Sequence, residues 1–287
     1  MRSLSGGLIV KEIRVQKALS KSGLPEYDYS LNPYIGCQHA CVYCYAIDFT
    51  RGEPAERWGE VVYVKINLIP VLMREVRKYR PGVVGVSTIT DPYIPIEARY
   101  KLTRRSIELL LAYGFSVSIQ TKSALVIRDL DVLRKYRDKV DVGFTITTLD
   151  PSIKKLIEPY SSHPLAIERA LRKISSEGIK TWIFIGPIIP DINDHLNNLV
   201  EIVDLAKETG SEVIIDYLRQ HPRAMINMRI RLGEDLMSKI LSKNTYSWWR
   251  SISEKILSIC KEKNVMCKTA SDYWREFSIR SDSETLY

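Results

Sequence analysis

Long apolar runs are missing from this chain and cysteines are few, and each shortage excludes something. The most apolar stretch near the N-terminus, Leu8-Ile9-Val10, is three residues long between Gly7 and Lys11, far short of a signal peptide's hydrophobic region. No segment approaches the roughly 20 apolar residues of a membrane span. The expectation is a protein without membrane contact, placed in the cytoplasm, where thiols stay reduced. In that setting the five cysteines among 287 residues are candidates for metal binding before disulfides. Charge of one sign is not dominant either. Lysine and arginine number 42 against 34 acids, a net +8 that favours polyanionic partners without naming one.

A composition of 45% hydrophobic and 26% charged residues is enough to bury one ordinary globular core. Five β-rich runs recur, each followed by helical periodicity: Val83 to Ser87, Phe115 to Gln120, Val142 to Thr147, Thr181 to Gly186 and Val213 to Tyr217. Their starts fall 32, 27, 39 and 32 residues apart, room for one strand and one crossover helix, which implies parallel pairing. A further strand through Tyr27 to Pro33 makes six units. The predicted fold class is therefore α/β, a partial (β/α)6 TIM-like barrel, with an open doubly wound sheet as the alternative. Val61 to Val64 adds an accessory strand. Residues 1–26 read as an N-terminal extension, 27–220 as the barrel and 221–287 as a mostly helical extension with a short strand near Val265. Among the helices, Thr103 is the expected cap of one that stops at Gly114, Gly178 and Gly210 close two others, and Leu196, Leu199, Val200 and Val203 form the buried face of the last of these.

The run Asn32-Pro33-Tyr34-Ile35-Gly36-Cys37-Gln38-His39-Ala40-Cys41-Val42-Tyr43-Cys44 carries cysteines spaced C-x3-C-x2-C, with an aromatic before the third. Three thiolates on one loop can hold three irons of a cubane cluster and leave the fourth open to a ligand. The competing reading is a zinc knuckle completed by His39, although zinc sites usually draw four ligands from two separated pairs and no second pair lies nearby.

This loop after the first barrel strand resembles that of the radical S-adenosylmethionine (SAM) superfamily. The surrounding words resemble its spore photoproduct lyase-like group: Lys21 to Pro25, Asn32-Pro33-Tyr34, Thr90-Asp91-Pro92-Tyr93 with Glu97, Glu158-Pro159, and Gly186-Pro187-Ile188-Ile189-Pro190. The resemblance implies a 4Fe-4S cluster on Cys37, Cys41 and Cys44, SAM as cofactor, an external electron donor, and hydrogen abstraction by a 5′-deoxyadenosyl radical. It also places Thr88, Thr90 and Asp91 at the cofactor's methionyl amine, Glu158 and Arg169 at its ribose or carboxylate, and Ile188 and Tyr43 beside its adenine. Thr147 and Tyr217 are further cofactor candidates at strand ends, while Tyr93 and Glu97 are candidates for the substrate side. An ordinary polar turn at Thr88 to Pro92 and a surface ion pair at Glu158 and Arg169 are the plain alternatives.

Arg219, Arg223, Arg229 and Arg231 fall within thirteen residues that contain no acid. Arg219 and Arg223 are the phosphate-binding candidates, and Trp248-Trp249 could offer a stacking surface, although paired tryptophans are more often core. A nucleic acid is thus the leading substrate class, a peptide or small molecule the second, and a zinc-stabilised nucleic-acid-binding protein without catalysis the third. No cysteine lies between Cys44 and Cys260, whereas the spore photoproduct lyase returns hydrogen from a barrel cysteine, so thymine-dimer repair is not expected. Cys260 and Cys267 are expected to pack in the core.

Overall fold

A computed structural model describes residues 7–284. Eleven strands are assigned among them: β1 Ile9–Ile13, β2 Leu19–Lys21, β3 Tyr29–Leu31, β4 Tyr34–Ile35, β5 Val61–Lys65, β6 Val83–Val86, β7 Ser116–Thr121, β8 Val140–Thr145, β9 Lys180–Ile188, β10 Glu212–Tyr217 and β11 Cys267–Thr269. The main sheet runs β11-β10-β9-β8-β7-β6-β3-β2. Every pairing in it is parallel except that of β2 with β3. All six expected units are present in chain order, and β11 adds a seventh parallel strand. β2 and β11 form the two edges of this sheet, so it is an open arc and the architecture is α/β.

Strands β6 to β10 read as near-continuous apolar runs because helices cover one face and the interior lies on the other. Val84, Val117, Ile119, Val142, Phe144, Ile183, Ile185 and Ile215 carry the core between sheet and helices. The accessory strand β5 pairs parallel with β1 and antiparallel with β4. β1 and β2 therefore tie residues 9–21, expected to be an extension, into the two sheets. The C-terminal segment contributes helices Pro222–Leu232, Glu234–Lys243, Tyr246–Glu262 and Ala270–Glu284 around β11.

Two local expectations are corrected, and the paired tryptophans take the core place that such pairs more often have. Thr103 lies inside helix Leu102–Ala112, with its hydroxyl on the Pro92 carbonyl; the helix N-terminus is capped by Glu97, whose Oε2 and Oε1 accept from the Thr103 and Arg104 N–H groups at 3.0 and 3.3 Å. A carboxylate from the preceding turn satisfies donors that a threonine at the second helical position cannot reach. In helix Leu196–Thr209 the buried face is Leu199, Ile202, Val203, Leu205 and Ala206, whereas Leu196 points outward at the first turn, before the helix meets the sheet. Trp248 and Trp249 pack against the core, with Trp248 Nε1 donating to Asp194 at 3.1 Å, and offer no stacking platform.

Cys260 and Cys267 pack in the main core as expected. Among the described residues no helix is long and apolar enough to cross a membrane.

Candidate active site

The cysteine loop leaves β4 through Gly36, where φ is +85° and a Cβ would stand 2.4 Å from the Val61 carbonyl oxygen, so only glycine fits the turn. The loop is pinned at both ends. Thr90 donates its hydroxyl to the Gly36 carbonyl at 2.7 Å, and Val42 N–H donates to the Ile157 carbonyl at 2.9 Å. The loop then enters the short helix Ala46–Phe49. This holds Cys37, Cys41 and Cys44 on the wall of a single cavity of about 380 Å³, beyond the carboxyl ends of the parallel strands. Cys37 and Cys41 are buried and Cys44 is half-buried.

Burial dominates the acidity of all three thiols. It pushes Cys37 up to about 12, helped by the Asp91 carboxylate, and Cys44 up to about 11 against the opposing charge of Lys122. Cys41 is raised as well by burial and by Glu158. The thiols are thus protonated at neutral pH, and a metal that binds them must displace those protons. The ammonium of Lys122, directly after β7, favours the thiolate forms of Cys41 and Cys44. Burial works against its charge, but Cys41, Glu158, Cys44 and Asp91 outweigh that and raise it. Its Nζ lies 5.8 Å from the centre of the Tyr43 ring.

Asp91 lines the same cavity but is largely committed to the protein. Oδ1 accepts from Tyr93 N–H and the Thr121 hydroxyl, both at 2.8 Å, and Oδ2 accepts from Lys122 N–H at 2.7 Å and lies 3.4 Å from His39 Nδ1. It braces the loops after β6 and β7 against the cysteine loop. Burial alone would raise its pKa; His39 and the N–H donors hold it below the usual carboxylate range. Thr88 and Thr90 share this wall, and Tyr43, Tyr217 and Arg219 complete the set of expected residues that reach the cavity.

Glu158 and Thr147 stand one layer behind. Glu158 is 1% exposed and accepts from Tyr43, from Thr147 Oγ1 at 2.8 Å and from Ser161 Oγ at 3.2 Å, while pairing with Lys154. Burial would raise this carboxyl, but Lys154 and Lys122 hold it at about 2. It thereby fixes the tilt of the Tyr43 ring. Ile188 is buried behind the wall that Gly186 and Pro187 form.

Four expected residues are elsewhere. Arg169 is exposed on the outer helix Pro164–Ser176. Tyr93 and Glu97 are 0% exposed. Glu97 pairs with Arg128 at 2.7 Å and accepts from Tyr34, so it has no free face for a substrate. Arg223 caps helix Ala46–Phe49, donating to the carbonyls of Ile47 and Thr50 at 3.3 and 3.1 Å. Arg219 lies in the loop after β10 and Arg223 in the first turn of helix Pro222–Leu232, a separation that counting arginines along the chain misses.

Sequence reasoning also overlooked Lys122 and Glu26. Lys122 had a readable signal, since the residue directly after a parallel strand faces the functional end of such a sheet. Glu26 had none, because its surroundings come from the opposite end of the chain.

The radical SAM superfamily description matches residues 31–206, more than half of the chain. The chain belongs to the radical SAM superfamily. Among similar curated proteins, an uncharacterized protein of Methanocaldococcus jannaschii is 39% identical over 183 residues, 64% of this chain and 69% of that one. An uncharacterized protein of Mycobacterium tuberculosis is 32% identical over 234 residues, 76% and 68% of the two. A radical SAM Nα-GlyT isomerase of Pseudomonas phage M6 is 25% identical over 190 residues, 65% and 38% of the two.

Among solved structures, a spore photoproduct lyase complexed with dinucleoside spore photoproduct superposes with a TM-score of 0.69 at 16% identity, covering 91% of this chain and 81% of that one. That likeness establishes the partial barrel as the shared fold. Radical SAM membership makes the protein an enzyme, and the zinc-stabilised, non-catalytic reading falls with it. The family implies a 4Fe-4S cluster and SAM. The donor set fits: three thiols spread over one cavity wall suit a cubane, which takes one thiolate per iron. Among the described residues no three His, Cys, Asp or Glu side chains gather closely enough to surround a single ion.

Proposed function

We propose that Cys37, Cys41 and Cys44 hold a 4Fe-4S cluster at which SAM is reductively cleaved, and that the substrate is a nucleic acid. The observation that carries the cofactor assignment is the arrival of all three thiols, with Lys122 beside them, on one cavity at the carboxyl ends of the strands. When bound, the cluster and SAM supply an electron and a 5′-deoxyadenosyl group able to take a hydrogen atom from substrate. The chain's own groups prepare the site for this. Lys122 offsets the charge of the Cys41 and Cys44 thiolates, Asp91 locks the loops after β6 and β7 to the cysteine loop, and Glu158 holds the Tyr43 ring at the wall. Thr88, Thr90 and Tyr217 remain the cofactor-facing candidates. The largely apolar lining of the cavity would limit the water that reaches a bound cofactor.

The nucleic-acid reading draws on the rim. Tyr45, Phe49 and His221 form a cluster there with ring centroids 5.9 Å apart in each pair, and Tyr45 and Phe49 are 44% and 60% exposed. Exposed rings beside Arg219 suit successive bases of a single strand. The lyase of the same fold that was solved with a dinucleoside spore photoproduct supports the same substrate class.

Anaerobic reconstitution with iron and sulfide, followed by dithionite and SAM, should release 5′-deoxyadenosine, and Cys41→Ala should abolish iron retention and release together while the circular dichroism spectrum is kept. Release by the alanine variant would reject the cluster assignment.

A further inference from the structure

Away from the cysteine loop the cavity changes character. Its inner walls are the rings of Tyr27, Trp182, Phe184, Tyr273 and Trp274. Tyr27 and Trp182 reach this place because Gly85 of β6 and Gly143 of β8 have no side chain; a Cβ there would stand 2.4 and 2.2 Å from the two rings. The polar edges of Tyr27 and Trp182 are already served. Tyr27 Oη lies 3.4 Å from Ser118 Oγ, and Ser118 Oγ and Trp182 Nε1 both donate to Asp141 Oδ1 at 2.7 Å.

Glu26 is the exception on this wall. Its Oε1 accepts from Trp274 Nε1 at 3.1 Å, whereas Oε2 is buried with no hydrogen-bond partner. A buried polar atom in an apolar chamber costs stability until something pairs with it.

We propose that this chamber receives one planar, uncharged nucleobase, held between aromatic rings and read along its hydrogen-bonding edge by the Glu26 carboxyl. The inference rests on the nucleic-acid reading above and adds the residue that recognises the base. A cation is the other guest that rings and a carboxyl could take. Here that role is filled, because the Arg219 guanidinium already lies 5.1 Å from the centre of the Tyr217 ring and 5.2 Å from that of Trp274. Burial also raises the pKa of Glu26, favouring the neutral carboxyl, which can donate and accept at once and so match the paired donor and acceptor of a base edge. A base enters by leaving its stack, which costs least from a single strand.

The test uses reconstituted enzyme with SAM present, a short fluorescein-labelled thymidine oligonucleotide, and an abasic backbone of equal length, with affinities read by anisotropy. The native enzyme should prefer the base-bearing strand. Glu26→Met, which keeps volume and loses the polar edge, should erase about tenfold of that preference, and Glu26→Gln, which keeps a donor and an acceptor, should retain it. Should the methionine variant not fold, Tyr273→Ala removes a wall ring without touching the Glu26–Trp274 bond and should likewise reduce the preference.

Strands that bind while Glu26→Met and Tyr273→Ala leave the preference unchanged would overturn the chamber and leave the nucleic-acid reading standing. If neither strand bound native enzyme, both would fall. Loss in the glutamine variant equal to that in the methionine variant would show that the ionised carboxylate makes the contact and overturn the reading of the base edge by a paired donor and acceptor. Weakened SAM affinity with unchanged strand binding would assign the chamber to the cofactor and overturn it as well.

Discussion

At Asp141 a single carboxylate shows how the interior of the sheet is tuned. Burial raises its pKa above the ordinary 3.8, and the donors Ser118 and Trp182 only partly offset that. A carboxyl raised in the folded state contributes stability that is present below the unfolded pKa and lost as pH rises through the folded value. Asp141→Asn keeps an oxygen for both donors and removes the ionisation. The variant should therefore melt at higher temperature than the native protein at pH 7, and the two should converge below about pH 4. Thermal melting across that range checks the sign; a variant less stable at pH 7 would show that the charge is favourable where it stands. The same scale separates what was readable from what was not. Cysteine spacing is local, so Cys37, Cys41 and Cys44 could be picked out along the chain. Arg169 and Arg223 could not be sorted, because which face a helical arginine presents depends on what its helix packs against.

Between elements, Glu97 does the work first assigned to a substrate contact. Its carboxylate caps helix Leu102–Ala112, accepts from Tyr34 of β4 and pairs with Arg128 of the 3-10 turn Ala124–Asp129. Removing its side chain would orphan helix N–H groups and leave Arg128 with Asp129 and the main-chain carbonyl of residue 97. Glu97→Ala should cost about 3 kcal/mol in urea unfolding, and a loss under about 1 kcal/mol would show that the clip is dispensable. An acid five residues ahead of a helix carries no capping signature in sequence. Thr103 carried one, and it lost to a partner brought in by the turn Asp91–Ile96, which the reading had treated as a site.

For the molecule as a whole, the open arc brings the two ends of the chain together. Glu26, ahead of β3, meets Trp274 of helix Ala270–Glu284, and both line the cavity. The chain as a whole carries a net charge of +8, which favours a polyanion. If a single strand binds there, its affinity should fall as salt rises, with a log–log slope of about −2 or steeper, since each neutralised phosphate contributes about −0.7. Anisotropy titrations at several salt concentrations measure it, and a flat response would remove backbone contacts from the account.

The sequence by itself determined the six β/α units, the parallel sheet they imply and the three-cysteine loop, because strand periodicity, crossover length and cysteine spacing are properties of neighbouring residues. Only the tertiary structure decided which polar groups face the cavity. It turned Glu97, Tyr93, Arg169 and Arg223 away, brought Lys122 to the thiols and set Glu26 among rings from distant strands and the last helix. Burial and partnership depend on contacts between residues far apart in the chain, and no local pattern encodes them.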